Sequence, residues 1–170
     1  NRTLTVSAWV RNMFNMQYLD LLDNRVSRGI DAPITVMGGR EVLGDLKKHI
    51  FNGRIWPDFT RIPSQENPSL RYRILSAARP CRIDGYTIVM EGVSHAVPAN
   101  GYIVENPGKK AIAYTGDTAW TDALIDVGAE ADLLIAEAYY HDKKIPDHLD
   151  LATLAAHFDK IRPKRMLLTH

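Results

Sequence analysis

A short apolar run, Ala111–Tyr114, stops at Thr115-Gly116-Asp117-Thr118. The run reads as a buried strand, and the glycine ends it immediately before a carboxylate. Thr118 is placed to cap a helix whose apolar residues Trp120, Ala123, Leu124 and Val127 fall at helical spacing, with Gly128 closing it. Asp117 is therefore expected on a strand-to-helix turn at the rim of a sheet, where a carboxylate either starts a turn or binds a metal. Other polar residues share this context. Glu137 follows the apolar run 133–136, and His170 follows the run 165–169. His95 follows the strand 86–90 across Val93-Ser94-His95-Ala96-Val97-Pro98, and His148 lies in the polar loop after Glu137. In a layered α/β protein such strand ends gather along one edge, where ligands and metals bind. Histidine with carboxylate at a rim suits zinc or manganese, and two metals bridged by a carboxylate suit phosphoester hydrolysis. Taken singly, each histidine is more often a structural or solvated residue than a ligand.

The remaining pattern is mixed α/β. A strand is predicted over 4–9, a helix over 12–26 with Tyr18, Leu21, Leu22 and Val26 as its stripe, and a strand over 34–37. A helix over 41–51 buries Val42, Leu43, Leu46 and Ile50 and leaves Lys47, Lys48 and His49 in solvent. The stretch 51–67 is aromatic, carries Pro57 and Pro63, and fits no regular period, so it either packs over the core or covers a site. Strands over 71–75, 86–90 and 101–105 are punctuated by Asp84-Gly85 and Asn106-Pro107-Gly108, and 111–115 pairs back on 101–105. Leu151, Leu154, Ala155 and Phe158 line a last helix, which Asp150 caps. Nothing marks a repeat, a low-complexity segment or a linker, so residues 1–170 read as a single domain.

Composition limits the function classes. The net charge is +1, with acidic and basic residues interspersed, which offers no footprint for long nucleic acid or an anionic membrane. The single cysteine, Cys81, permits no internal disulfide and points to a reducing, cytoplasmic compartment. No run is long and apolar enough to span a membrane, and the first residues have no signal-peptide core. The sequence has no initiator methionine and stops straight after an apolar strand, so both ends read as cut and a fragment is expected.

Together, Val93-Ser94-His95-Ala96-Val97-Pro98-Ala99-Asn100-Gly101-Tyr102, Tyr114-Thr115-Gly116-Asp117-Thr118, Ala136-Glu137-Ala138, His148-Leu149-Asp150 and Leu167-Leu168-Thr169-His170 resemble the later half of the metallo-β-lactamase fold hydrolases. Their order is that of the branch holding ribonuclease Z and the class II cyclic-nucleotide phosphodiesterases. The stretch Leu46-Lys47-Lys48-His49-Ile50-Phe51-Asn52-Gly53-Arg54-Ile55-Trp56-Pro57-Asp58-Phe59 is similar to a segment of the class II enzymes. The resemblance implies an αββα sandwich, incomplete at its N-terminus, and a two-metal site taking Zn2+, with Mn2+ as the other choice. It implies His95 on the first metal, Asp117 bridging both and His170 on the second. Glu137 and His148 would pair near the scissile phosphate, His148 as proton donor to the leaving oxygen. It implies hydrolysis of a 3′,5′-cyclic nucleotide or other small phosphodiester by a metal-bound hydroxide.

The alternatives on the same fold are a ribonuclease Z-like hydrolase and a degenerate, non-catalytic binding protein. A homodimer is left open. The family's His-x-His-x-Asp-His motif is not in this chain; alignment places it near Trp9-Val10-Arg11-Asn12-Met13-Phe14, none of which can replace it. It either lies upstream or has been lost, and the residues that remain make about half of a two-metal site, with little chelate advantage.

The other reactive or aromatic residues have plainer readings. His141 reads as a solvated loop residue with substrate contact as the alternative, and His157 as half-buried and structural. Cys81 lies between Arg79 and Arg82, has no general base beside it in sequence, and reads as inert. Trp56, Phe59 and Tyr102 read as core or as stacking partners for a nucleobase.

Overall fold

The computed structural model describes residues 33–129 and 131–169. The predicted strand at 4–9, the helix at 12–26, the segment 9–14 and His170 lie outside the described residues. The described chain falls into two compact units, 33–75 and 76–169.

The smaller unit pairs β1 (Ile34–Gly38) in parallel with β2 (Leu70–Ile74), Ile34 opposite Leu70 and Gly38 opposite Ile74. Between them run α1 (Arg40–Asp45), a π-helical turn (Leu46–Ile50) and the long aromatic loop. Val42, Leu43, Leu46 and Ile50 are the residues of 40–50 turned away from solvent, as their spacing predicts. The aromatic loop supplies core rather than cover. Phe59 is 3% exposed and packs with Leu70, Ile34, Val36, Phe51 and Tyr72, its ring edge-on to Phe51 at 5.9 Å.

The larger unit is a six-stranded sheet in the order β3 (Cys81–Ile83), β4 (Tyr86–Gly92), β5 (Asn100–Glu105), β6 (Ala111–Tyr114), β7 (Leu133–Glu137), β8 (Met166–Thr169). The pairings β3–β4, β4–β5 and β5–β6 are antiparallel, while β6–β7 and β7–β8 are parallel. Strands β4, β6, β7 and β8 therefore run the same way, and their C-terminal ends share one edge. One face of the sheet carries Ala113, Leu134 and Ala136. These pack with Leu124 and Val127 of α2 (Ala123–Gly128), Leu154 of α3 (Leu151–Ala156) and Ile161 of α4 (Phe158–Ile161). Burying these aliphatic side chains supplies the main stabilisation, roughly 1.5–3 kcal/mol for each large one before entropy is counted.

Several local expectations are corrected. Thr118 caps no helix: α2 begins only at Ala123, and its N-cap Asp122 makes no side-chain capping bond. Thr118 is instead fully buried, its Oγ1 donating to the Ala119 carbonyl (2.7 Å) and accepting from Ser94 N–H (3.1 Å). Gly128 is required for close approach, since an added Cβ would lie 2.1 Å from Ile161 Cγ2. The last helix breaks at His157, which leaves Phe158 43% exposed and outside the stripe. Asp150 does cap α3, accepting from Thr153 N–H at 2.8 Å. Strand β3, only three residues long, is too short for its Cys-Arg-Ile alternation to mark a strand and forms by pairing with β4.

Candidate metal centre

The shared edge of β4, β6, β7 and β8 places the polar residues. Gly116 takes φ of 71°, a left-handed conformation, and a Cβ there would stand 3.0 Å from the Asn100 carbonyl oxygen, so glycine is needed where the chain turns off β6. The turn is tied to the loop after β4: Ala119 N–H donates to the Ser94 carbonyl (2.7 Å), alongside the Ser94–Thr118 bond. These two bonds bring His95, which has no strand of its own, beside Asp117.

Glu137 fixes the other side. It is 2% exposed. Its Oε2 accepts from Thr118 N–H (2.8 Å) and, at longer range, from Leu149 N–H (3.5 Å), while its own N–H donates to Thr115 Oγ1 (3.1 Å). Glu137 Oε1 lies 2.5 Å from His148 Nδ1, so the carboxylate orients the ring and directs its chemistry to Nε2. The His148 ring meets the His95 ring edge-to-face at 5.1 Å.

The result is one cluster. His95, Asp117 and His148 offer ligand atoms that all lie within 4.8 Å of one another. Ligands opposite each other on one zinc ion stand at most ~4.2 Å apart, so a small side-chain adjustment closes this group onto a cation. His95 Nε2 is buried and has no hydrogen-bond partner among the described residues. A buried imidazole nitrogen without a partner is costly unless something fills the place, and two imidazoles with a carboxylate are a donor set for zinc or manganese. The residues present therefore fit a divalent cation. His170 lies outside the described residues, so the second metal position carries no geometry here; β8 reaches its edge at Thr169, in register with Glu137.

Three tyrosines surround this cluster that sequence reasoning did not assign to it. Tyr114 is 7% exposed, and its Oη has no hydrogen-bond partner among the described residues. Burial pushes its ionisation far up, with the carboxylates of Asp117 and Glu137 adding to the shift, so it stays a neutral phenol. Tyr139 lies with its ring 5.0 Å from that of His148, and Tyr140 follows it at 4.7 Å. The Tyr-Tyr pair was visible in sequence only as the flank of His141, which the structure leaves exposed. His157 is half-buried and stacks on Trp120 at 3.7 Å, away from any ligand role.

Known proteins agree with this architecture. A family profile described as "Beta-lactamase superfamily domain" matches residues 19–170. The uncharacterized protein Rv1339 of Mycobacterium tuberculosis is 29% identical over 96 residues, 55% of this chain and 35% of that protein. The Caenorhabditis elegans "Zinc phosphodiesterase ELAC protein 2 homolog" is 30% identical over 83 residues, 46% of this chain and 10% of that one. The crystal structure of the metallo-β-lactamase fold protein YhfI from Bacillus subtilis superposes with a TM-score of 0.71 at 17% identity, covering 91% of this chain and 59% of that one. The chain thus spans about a third of the first of these relatives and somewhat over half of the solved structure. Among the described residues no helix is long and apolar enough to cross a membrane. With a profile match over nearly its whole length, the chain belongs to the beta-lactamase superfamily, and it shares the metallo-β-lactamase fold.

Proposed function

We propose that this chain carries part of the site of a metal-dependent phosphodiesterase whose substrate is a small phosphodiester, most specifically a 3′,5′-cyclic nucleotide, in the cytoplasm. The observation that carries the reading is His95: a buried Nε2 with no partner among the described residues, beside Asp117 and His148. Three further facts support it. The C. elegans relative is named a zinc phosphodiesterase. The net charge of +1 favours a small diester over long RNA. The sole cysteine is unpaired, which suits a reducing compartment. A ribonuclease Z-like hydrolase is the second reading, supported by the fold shared with human tRNase Z, short form, at a TM-score of 0.60 and 19% identity.

In this proposal His95 and Asp117 hold the cation. When bound, it activates water and neutralises charge on the phosphoryl oxygens. Glu137 keeps the His148 ring fixed through Nδ1, so Nε2 is the atom that passes a proton to the leaving oxygen. That nitrogen cannot bind the cation and carry a proton at once, and the proposal gives it the proton. The Glu137–Thr118 bond holds the Asp117 turn at constant distance from His148, which positions ligand and acid together.

The test is zinc retention after dialysis, with turnover of bis-p-nitrophenyl phosphate and of 3′,5′-cyclic AMP. Residues 1–170 contain no His-x-His-x-Asp-His, so this chain is expected to hold zinc weakly and to turn over neither diester measurably. His95→Ala and Asp117→Ala should each lower zinc retention by at least ~10-fold. The same sequence extended by an upstream His-x-His-x-Asp-His should gain both stoichiometric zinc and turnover. Zinc retention indifferent to both substitutions overturns the site. Turnover of the generic diester but never of cyclic AMP keeps the chemistry and removes the substrate.

A further inference from the structure

We propose that Tyr139 and Tyr140 form a stacking platform for the planar base of a nucleotide whose phosphate is held at His95, Asp117 and His148. The inference rests on the phosphodiesterase reading and adds where the rest of the substrate goes. Ring contacts lead outward from the cluster without a break: His95 to His148 at 5.1 Å, His148 to Tyr139 at 5.0 Å, Tyr139 to Tyr140 at 4.7 Å. The His148 side chain is 17% exposed, whereas Tyr140 is 41% exposed, so the series runs from the buried site to solvent. A group esterified to phosphate at the cluster meets these two rings as it leaves the site.

The platform is held in place. Tyr139 N–H donates to the Leu149 carbonyl, Leu151 N–H to the Tyr140 carbonyl, both at 2.8 Å, and Ala152 N–H to the His141 carbonyl at 2.9 Å. Both ends of the loop are thus pinned, which lowers the ordering cost a bound base would otherwise meet. Lys143 Nζ lies over one face of the Tyr140 ring, 5.0 Å from its centre. Two adjoining tyrosine rings, tilted 51° to each other, with a flanking ammonium offer an aromatic face and a cation to a planar base and its phosphate, which describes a nucleotide. Simple packing predicts instead that Tyr140 is covered, as Phe59 is at 3% exposure. Phe59, an earlier candidate for stacking, is core and is thereby removed from that role. Stacking of this kind tolerates any base, so little discrimination between adenine and uracil is expected.

Binding, not turnover, tests the platform: equilibrium dialysis of the 170-residue chain with zinc present, against 5′-AMP, ribose 5-phosphate and phenyl phosphate. 5′-AMP should bind about 5-fold or more tighter than ribose 5-phosphate, the gain that one stacked base brings. Tyr140→Ala should remove that preference and Tyr140→Phe should keep it. Equal binding of 5′-AMP and ribose 5-phosphate, a preference that survives Tyr140→Ala, or no detectable retention of either ligand overturns the proposal. Phenyl phosphate binding as tightly as 5′-AMP overturns the nucleotide assignment. A base preference in the sequence extended by an upstream His-x-His-x-Asp-His that still hydrolyses no diester counts against the phosphodiesterase reading alone. Hydrolysis of bis-p-nitrophenyl phosphate without a base preference counts against the platform alone.

Discussion

Asp132 and Glu137 bracket one strand and have the same chemistry, yet the two ends of β7 use it differently. Asp132, just before the strand, accepts from Ala111 N–H (2.9 Å), Lys110 Nζ (3.2 Å) and Lys164 Nζ (3.1 Å). It ties the start of β6 to the approach to β8. The Ala111 bond first and the Lys164 ammonium next hold its carboxyl well below the usual carboxylate range. Glu137, at the other end, is 2% exposed, holds the Asp117 turn through Thr118 N–H and orients the His148 ring. One carboxylate is bonded by a backbone N–H and two surface lysines and is a clamp. The other positions groups that themselves have chemistry to perform. Where β6, β7 and β8 run parallel, their N-terminal ends are free to be structural and their C-terminal ends collect the site.

Three substitutions sharpen or break this contrast. Glu137→Ala should have the largest effect. It leaves the buried Thr118 N–H without its acceptor and releases His148, at a cost of about 3 kcal/mol or more in unfolding free energy. Zinc retention should fall ~10-fold or more with it, because the Thr118 bond that holds the Asp117 turn is lost. Denaturant melts and dialysis check both, and a variant that keeps its zinc would make Glu137 a clamp like Asp132.

Asp132→Asn should lower the melting temperature at pH 7 and leave zinc retention unchanged. Its pH signature follows from the sign of the shift. The folded carboxyl sits below the unfolded one, so its stabilisation is fully present above about pH 4 and is lost as pH falls toward the folded value. The difference between wild type and variant should therefore close on acidification below about pH 4. A difference that widens there contradicts the clamp. Lys164→Ala should do least. Its side chain is 61% exposed, and Lys110 and Ala111 still hold Asp132, so the melting temperature should barely move.

The contrast between the two carboxylates also shows what was readable beforehand. An apolar run ending in a polar residue is a local signal, so Asp117 and Glu137 stood out, as did the β5–β6 pairing across Asn106-Pro107-Gly108 and the Asp150 cap. The stripe Val42, Leu43, Leu46, Ile50 was legible for the same reason, since a helix repeats over a few residues. Thr118 was misread because an N-cap and a buried loop hydroxyl look alike until the Ser94 N–H that occupies it is seen, 24 residues away. Phe158 was misread because helical spacing continues through His157 in the sequence, while the helix itself stops there.

The sequence by itself determined the strand-and-turn grammar, the polar residues at strand ends and the near-neutral surface, because these are set by neighbours along the chain. Tertiary structure alone decided which polar residues meet. The direction of β4, two antiparallel steps from β6, carries His95 to the same edge as Asp117. The Glu137–His148 bond selects one histidine of the loop and leaves His141 in solvent. The ring contacts give Tyr139 and Tyr140 a place beside the site that no spacing could announce. Contacts between residues far apart in sequence depend on strand order and register, and those are fixed only when the whole sheet closes its hydrogen bonds and buries its helix-covered face.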